Sequence, residues 1–441
     1  MEHVRRVVVG LVLLVVCGAV STARGQVVVH PPQPKIPPPF DTTVPVPGGG
    51  TEAIYVQTPW NQPANRPLVV IFHGAYYDNH WYKPNPQFDL TAQLKALFKE
   101  AARRGWYAVS VTGGAAPVSG TYAGPELHLR TTAVIDWMRQ QYAIDSDRIY
   151  TMGYSMGGID ALNYAARHVD PEGHRIAAAW SWSGTLCAEV SQPGCNLVPC
   201  DPLARIAASV VQSLPCNCSS PSGQFVSDQS LGWNLEHLRI TTTAATNDIC
   251  HVECPAPALV ALTSNWLVPG NHTHLANYGI SHDDYSAFNP VQICNFFQGA
   301  SVTTPSSATR TVAVEDARYF WFDVIRSDPN ATGTFGWSFS SQQLDLSSIL
   351  RITALQIDVD GGVDSPLTSA NDITIQLTPD PSFLAGTYIL LHHFANATGT
   401  TVYLNGSPAT PGINYDWMDA DSLILYREQG AATTQWFIDV P

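Results

Sequence analysis

The feature that most constrains this chain is the stretch R-I-Y-T-M-G-Y-S-M-G-G at residues 148–158. An apolar run suited to a buried strand ends at Gly153, and the small residues after Gly158 suit a helix packed against that strand. Between them stands Ser155, with glycines two positions before and two after it, the G-x-S-x-G pattern of a sharp strand-to-helix turn. Such a turn exposes the serine Oγ at the carboxyl edge of a sheet and points the first helix amides towards it. The pattern therefore predicts a nucleophilic Ser155.

Apolar strands alternate with amphipathic helices around this turn. Strands are predicted at 52–58, 67–72, 106–111, 177–183 and 238–246, and helices at 90–104, 127–142 and 287–297. Alternation of this kind indicates an α/β domain with a doubly wound, mostly parallel sheet, here over residues 51–300. Within it, residues 184–236 exceed the usual length of a connection and predict a cysteine-rich, cap-like insertion over the carboxyl edge of the sheet.

A nucleophilic serine needs a histidine base and a carboxylate that orients the histidine. In this strand-turn-helix context the chain order is serine, then acid, then histidine. Asp248 follows the predicted strand 238–246 and so lies at the carboxyl edge of the sheet, which makes it the preferred acid. Asp201 and Asp228, inside the insertion, are weaker candidates.

Several histidines follow Asp248 in the chain. His282 lies in a predicted rim loop just before the last helix of the domain, and it is the preferred base. His272 and His274 remain alternatives, and His251 is too close to Asp248 in sequence to reach back to the serine.

An oxyanion hole requires two backbone N–H groups. The residue after the serine, Met156, supplies one, and the loop after strand 67–72, with sequence F-H-G-A-Y, supplies the other from Ala75 or Tyr76, with Ala75 preferred. Four aromatic residues near these positions are candidates for lining the substrate pocket: Tyr76, Tyr77, Trp81 and Tyr154.

Taken together, His73-Gly74, the run 142–150 leading into G-Y-S-M-G-G, and the loops of Asp248 and His282 resemble the α/β-hydrolase superfamily. Within it, the spacing over residues 51–299 is similar to secreted esterases of the polyhydroxybutyrate depolymerase and feruloyl or acetylxylan esterase group. The resemblance implies an α/β-hydrolase fold, Ser155 as nucleophile, Asp248 as acid, His282 as base, and carboxylic esters as substrates. Asp283 after the histidine and the cysteine-rich insertion depart from the pattern.

The N-terminus predicts export. Basic residues precede an apolar run at 7–20, and the small residues Ala23 and Gly25 follow it. This pattern predicts a signal peptide at 1–25. The protein is therefore expected to be secreted, to an extracellular or periplasmic location. Residues 26–50 are rich in proline and glycine and predict a tether or a surface arm.

Nine cysteines are present, one of them in the signal peptide. In an exported protein the remaining even number predicts disulfides. They are Cys187, Cys195, Cys200, Cys216, Cys218, Cys250, Cys254 and Cys294. Zinc at Cys216–Cys218 or Cys250–Cys254 is the weaker alternative.

The last third of the chain has a different composition. Residues 301–311 form a Ser/Thr/Pro linker, and short β-prone runs separated by turns predict an antiparallel β-sandwich over 312–441. Its tryptophans Trp321, Trp337, Trp417 and Trp436 are expected in its core rather than on a polymer-binding face. Asp358, Asp360 and Asp364 predict an acidic turn, with a calcium site as the weaker alternative.

A formal net charge of −14 argues against nucleic acid and anionic membranes as partners. The predicted partner is an ester substrate, small or polymeric, with polymer or cell-surface contact through the C-terminal region. No metal ligand and no cofactor are predicted. A serine peptidase or amidase on the same fold, and a catalytically silent binding protein, remain alternatives.

Overall fold

The computed structural model describes residues 35–113, 125–170, 173–184, 231–243, 272–275, 284–286, 288–303, 305–329, 331–360, 366–379, 386–394, 399–426 and 432–441. An eight-stranded sheet contains β1 (Phe40–Pro45), β2 (Thr51–Gln57), β3 (Arg66–Phe72), β4 (Tyr107–Val111), β5 (Ile144–Tyr154), β6 (Ala178–Trp182), β7 (Arg239–Thr243) and β8 (His272–Leu275). The helices of its described part are α1 (Thr91–Arg103), α2 (Pro125–Gln141), α3 (Met156–Arg167) and α4 (Pro290–Phe297), and a 3-10 helix spans Leu231–Leu235.

The strand order in this sheet is β1-β2-β4-β3-β5-β6-β7-β8. The first two pairings are antiparallel, and every pairing from β4 through β3 to β8 is parallel. Because successive residues of a strand point to opposite faces, β3 supplies Val70 to one core and Ile71 to another. Helices α2 and α3 cover the first face, and α1 and α4 cover the second. The predicted mostly parallel, doubly wound sheet is confirmed.

The proline- and glycine-rich segment at 26–50, predicted to be a tether or a surface arm, contains a strand in its last part. Its last part forms β1, which pairs antiparallel with β2 and buries Val44. Gly48, Gly49 and Gly50 all have positive φ values, a conformation that glycine adopts without steric cost. The glycine run is therefore a hairpin turn, and the folded domain begins before residue 51.

The C-terminal region is rich in β-structure. One sheet has seven strands: β9 (Ser307–Ala313), β12 (Gly333–Ser340), β13 (Gln343–Leu350), β15 (Ile373–Pro379), β17 (Thr401–Leu404), β18 (Ser407–Pro408) and β21 (Thr434–Asp439). The other has six: β10 (Arg318–Tyr319), β11 (Phe322–Arg326), β14 (Ile352–Asp358), β16 (Tyr388–His392), β19 (Tyr415–Trp417) and β20 (Leu423–Tyr426). The pairs β13–β15 and β14–β16 are parallel, whereas the sequence predicted antiparallel strands throughout.

Both C-terminal sheets contribute to one hydrophobic cluster. Trp321, Trp337 and Trp436 are buried in it, and Trp417 packs partly buried against it. The expectation that these tryptophans belong to the core is confirmed. Three of the four rings are buried and the fourth, Trp417, is half-buried, so the four do not form one exposed aromatic face. The β-sandwich itself remains a prediction.

Residues 301–311 are only partly a linker. Strand β9 begins at Ser307 and contacts the 3-10 helix of the α/β part. The Asn234 side chain donates to the carbonyl of Val312 at 2.9 Å and accepts from the N–H of Val312 at 2.8 Å. The Glu236 carboxylate accepts from the N–H of Thr309 at 2.8 Å. The chain therefore enters the C-terminal region along a hydrogen-bonded path.

Cys294 corrects the prediction that all eight cysteines pair. It is a free thiol, fully buried in α4. Burial raises the pKa of this thiol to about 12, so it stays protonated and unreactive at neutral pH. The other seven cysteines, the signal peptide and most of the insertion 184–236 lie outside the described residues. Within the ranges given above, no helix is long and apolar enough to cross a membrane.

Candidate active site

Ser155 stands between the end of β5 and the start of α3. Its φ of 55° and ψ of −118° put a non-glycine residue in a backbone conformation that is costly and characteristic of functional turns. Its N–H donates to the carbonyl of Trp182 at 2.8 Å, and its carbonyl accepts from the N–H of Gly158 at 2.9 Å. The surrounding backbone therefore holds the serine in this strained conformation.

The two glycines of the motif are required by packing. A Cβ atom on Gly153 would lie 1.9 Å from the carbonyl oxygen of Gly157. A Cβ atom on Gly157 would lie 2.4 Å from the carbonyl oxygen of Phe72, at the end of β3. Because both obstacles are backbone atoms, no rotamer change relieves them. The first turn of α3 thus packs directly against the strand that leads into the candidate oxyanion loop.

The loop after β3 is anchored by His73. The ring Nδ1 of this buried histidine lies 2.7 Å from the carbonyl oxygen of Gly74, and Nε2 lies 2.8 Å from that of Thr112. A Cβ atom on Gly74 would lie 2.9 Å from the Tyr154 ring, so the loop passes beside the residue that precedes the serine. Ala75 and Met156 lie on these two adjoining segments, and their roles as oxyanion donors remain predictions.

The four aromatic residues predicted for the substrate pocket differ in exposure. Tyr77, Trp81 and Tyr154 are buried, whereas Tyr76 is 48% exposed. The Tyr154 ring packs against the rings of Tyr77, Trp81, Trp182 and Tyr285 at centroid distances between 4.9 and 6.3 Å. The structure therefore places three of the four in an aromatic cluster next to Ser155, and their contact with substrate remains a prediction.

Tyr285 belongs to this cluster and was not singled out from the sequence. Its hydroxyl lies 3.2 Å from the Tyr77 hydroxyl and 3.4 Å from the Tyr154 hydroxyl. The residue comes three positions after His282. The run of tyrosines and tryptophans near the motif was visible in the sequence, but its convergence on Tyr285 depends on contacts between distant segments.

Asp248 and His282 lie outside the described residues, as do Asp201, Asp228 and His251. The strand before Asp248 is well defined: β7 pairs in parallel with β6, and the carbonyl of Thr243 accepts from the N–H of Ser183 at 3.1 Å. The carboxyl end of β7 therefore lies at the sheet edge where Ser155 meets Trp182. The backbones of His272 and His274 lie within β8, opposite Ile240 and Thr242.

A buried polar network supports the other side of α3. His128 Nε2 lies 3.0 Å from Asn163 Oδ1, and His128 Nδ1 lies 3.0 Å from His168 Nε2. The His168 ring stacks on Tyr164 at 3.9 Å. Burial first, and then the nearby charges of His174 and Arg167, lower the pKa of His168 to about 3. This histidine is therefore neutral and structural at physiological pH.

No family model matches the chain. A segment of 111 residues, 25% of this chain, is 28% identical to the bifunctional acetylxylan esterase/xylanase XynS20E of Neocallimastix patriciarum. The match spans 15% of that relative's length. It agrees with the resemblance to esterases that the sequence motifs indicated.

Solved structures similar to this chain include an esterase from Pyrobaculum calidifontis, with a TM-score of 0.41 and 16% identity over 60% of this chain and 85% of that one. A thermostable esterase from Pseudomonas putida has a TM-score of 0.39 and 18% identity over 59% and 78%. A fluorophosphonate-binding serine hydrolase of Staphylococcus aureus has a TM-score of 0.41 and 14% identity over 59% and 98%.

Proposed function

We propose that this chain is a carboxylic ester hydrolase with Ser155 as nucleophile, His282 as base and Asp248 as orienting acid. The observation that carries the proposal is the strained Ser155 between β5 and α3, together with two glycines whose Cβ atoms would strike backbone. The strained backbone conformation of Ser155 lowers the stability of the fold. A serine in such a strand-to-helix turn is the arrangement that nucleophilic catalysis uses.

Chain connectivity supports His282 over His272 and His274 as the base. His282 and Tyr285 are three positions apart in the chain, so an extended chain between their Cα atoms spans at most about 11 Å. Tyr285 packs against Tyr154, the neighbour of Ser155, at a centroid distance of 5.6 Å. A base at residue 282 would therefore be only a short stretch of chain away from this aromatic ring, whereas His272 and His274 belong to β8, the last strand of the sheet.

The position of β7 supports Asp248 as the acid. The strand ends at Thr243, level with Trp182 of β6 and two strands away from β5, which leads into the turn of Ser155. Asp248 follows five residues later, so at most about 17 Å of extended chain separates its Cα atom from that of Thr243.

In the reaction we propose, His282 takes the proton of the Ser155 hydroxyl as Oγ bonds to the ester carbonyl carbon. The N–H groups of Ala75 and Met156 stabilise the oxyanion. The intermediate collapses, the C–O bond to the alcohol breaks, and the alcohol leaves with the proton from His282. Water then attacks the acyl-enzyme with His282 as base, which releases the carboxylic acid and restores Ser155.

A polysaccharide-linked ester is the substrate class that we favour, since the matched relative is named as an acetylxylan esterase. A serine peptidase or amidase uses the same groups, and it is separated by comparing matched ester and amide substrates. We also propose that the protein is exported after removal of residues 1–25, which N-terminal sequencing of the protein from culture medium checks by finding Gln26 first.

The deciding experiment compares wild type with Ser155→Ala on p-nitrophenyl esters of increasing chain length and on acetylated xylan. Turnover should vanish in Ser155→Ala and persist in Ser340→Ala, a control at an exposed serine of β12. A fluorophosphonate probe should label the Ser155 peptide of the wild type alone. Equal turnover in wild type and Ser155→Ala would refute the proposed nucleophile, and absent labelling with no turnover would favour a silent binding protein.

A further inference from the structure

A cluster of three potential metal ligands lies in the C-terminal region, apart from the candidate active site. Asp358 is the last residue of β14, and His392 is the last residue of β16. These two strands are parallel neighbours, and Asp358 pairs with His392 in their register. His393 follows directly, so the sheet brings one carboxylate and two imidazoles to the same strand ends.

The ligand atoms of these residues are close to one another. Nδ1 of His392 lies 3.5 Å from Oδ1 of Asp358, and Nδ1 of His393 lies 3.3 Å from the same oxygen. The two Nδ1 atoms are 3.3 Å apart. The three atoms therefore form a nearly equilateral triangle.

The size of this triangle matches a tetrahedral metal site. Zinc–nitrogen and zinc–oxygen bonds of about 2.0–2.1 Å place two ligands of a tetrahedron about 3.3–3.4 Å apart. A regular octahedron with bonds of the same length would need about 3.0 Å. We propose that Asp358, His392 and His393 bind one divalent transition-metal ion, with Zn²⁺ as the expected occupant.

The backbone of His393 is shaped for this arrangement. Adjacent residues of a strand point to opposite faces, so two neighbouring histidines do not ordinarily share a ligand. His393 has a φ of +55°, in the left-handed region that is uncommon for residues other than glycine. This turn brings its ring to a centroid distance of 4.1 Å from the His392 ring. The three side chains converge because the strand ends in that conformation.

A neighbouring arginine orients the carboxylate. Nη1 of Arg318 donates to Oδ2 of Asp358 at 3.0 Å, while Oδ1 faces the two imidazoles. Outer partners of this kind fix the geometry of metal ligands in proteins. Nε of Arg318 also lies 3.3 Å from Oδ1 of Asp170, in the segment after α3. A bound ion would therefore strengthen a connection between the C-terminal sheets and the α/β part.

Two imidazole ligands select the kind of ion. Calcium and magnesium prefer oxygen ligands, whereas imidazole suits zinc, copper and nickel. This site is not the calcium site that was the weaker alternative for the acidic turn around Asp360. The Asp360 carboxylate accepts from the Thr368 hydroxyl at 2.6 Å and from the N–H of Ser369 at 2.9 Å, so it closes a loop.

The test uses the full mature chain without a histidine tag, stripped with a chelator and titrated with Zn²⁺ by calorimetry. The wild type should bind one equivalent of Zn²⁺, and His393→Gln should weaken that affinity more than about 100-fold. Loss of a residue that only hydrogen-bonds to a metal ligand costs about 10–100-fold. The His393 side chain is 51% exposed, so this variant should keep its fold. His174→Gln is the matched control, because Nε2 of His174 also faces a carboxylate, Oδ1 of Asp136 at 2.6 Å.

Cobalt substitution identifies the ligands. The wild type loaded with Co²⁺ should show the intense visible bands of a tetrahedral site without thiolate charge transfer in the near ultraviolet, and both Asp358→Asn and His393→Gln should lose those bands. Unchanged zinc affinity in His393→Gln would overturn the proposal. Thiolate charge-transfer bands that persist in both variants would assign the bound metal to the cysteines instead. Absence of Zn²⁺ binding by the wild type would mean that the three side chains form only an ion-paired cluster.

Discussion

The hydroxyl oxygens of Tyr77 and Tyr285 lie 3.2 Å apart although 208 positions separate the two residues in the chain. The contact joins the candidate oxyanion loop to the segment that follows His282. Two parts of the proposed catalytic machinery are thus fixed to one another through side chains that do no chemistry. Tyr154, directly before the serine, adds a third aromatic ring to the same contact.

Removing this contact should reduce activity more than stability. Tyr285→Ala should lower kcat/KM by up to about 100-fold, because a shift of about 1 Å in a catalytic group has that effect. Tyr285→Phe keeps the ring and should lose tenfold or less. Steady-state kinetics on one p-nitrophenyl ester measure both, and Tyr388→Phe, at an exposed tyrosine of β16, is the control. Wild-type kinetics in Tyr285→Ala would contradict a positioning role.

Gly157→Ala should destabilise the fold. The added Cβ would lie 2.4 Å from a backbone carbonyl oxygen of β3, so we expect a loss of about 3 kcal/mol or more in the free energy of unfolding. Gly173→Ala is the matched control, since the atoms nearest to its Cβ would belong to the Asp170 side chain, at 3.2 Å, and not to backbone. Urea unfolding compares the two, and equal midpoints would show that the turn tolerates a side chain.

Glu236→Gln should stabilise the protein at high pH. Burial raises the pKa of Glu236 to about 7, against the weaker opposing hydrogen bond from Thr309. Since the folded-state pKa lies above the unfolded one, stability is full below about pH 4.5 and falls as the pH rises through 7. The loss amounts to about 3 kcal/mol by pH 8. The free energy of unfolding of Glu236→Gln should rise by this amount relative to wild type between pH 4.5 and 8. A difference between the two proteins that does not change with pH would contradict the burial of Glu236.

His237 should make the protein sensitive to acid. Burial, and secondarily Arg175, lower the pKa of this histidine to about 4. Because the folded-state pKa lies below the unfolded value of about 6.5, stability is full above pH 6.5 and is lost as the pH falls towards 4. His237→Gln should reduce the slope of unfolding free energy against pH by about 1.4 kcal/mol per unit in that window. An unchanged slope in His237→Gln would contradict the buried, neutral state of this histidine.

Cys294 should resist alkylation in the native state. Its thiol is buried and its pKa is raised to about 12, so little thiolate is available to react with iodoacetamide. Peptide mass spectrometry after labelling should find Cys294 unmodified in the folded protein and modified in urea. Labelling at equal rates in both conditions would contradict the buried, unpaired state.

The parts of the fold that the sequence predicted correctly depend on local patterns. Alternating apolar strands and amphipathic helices located the parallel sheet, and the glycine spacing around Ser155 located the strained turn. Both signals act within about a dozen residues, because strand pleat and helix periodicity are local properties.

The parts that were wrong or missed depend on which distant segments pair. Gly48 to Gly50 suit a tether as well as a hairpin turn, and only the pairing of β1 with β2 decides between the two. An even number of cysteines says nothing about which one stays free, as Cys294 does. Asp358 and His392 are brought together by a parallel register, which the sequence of neither strand contains.

The hydrogen bonds of Asn234 and Glu236 bear on how this protein can be divided. Both side chains are buried and take their partners from the backbone of β9. A fragment that ended before residue 307 would lose these hydrogen bonds and would remove the buried Val312 side chain from the hydrophobic cluster of the α/β part. Fusion and truncation designs should therefore keep β9 together with the α/β part.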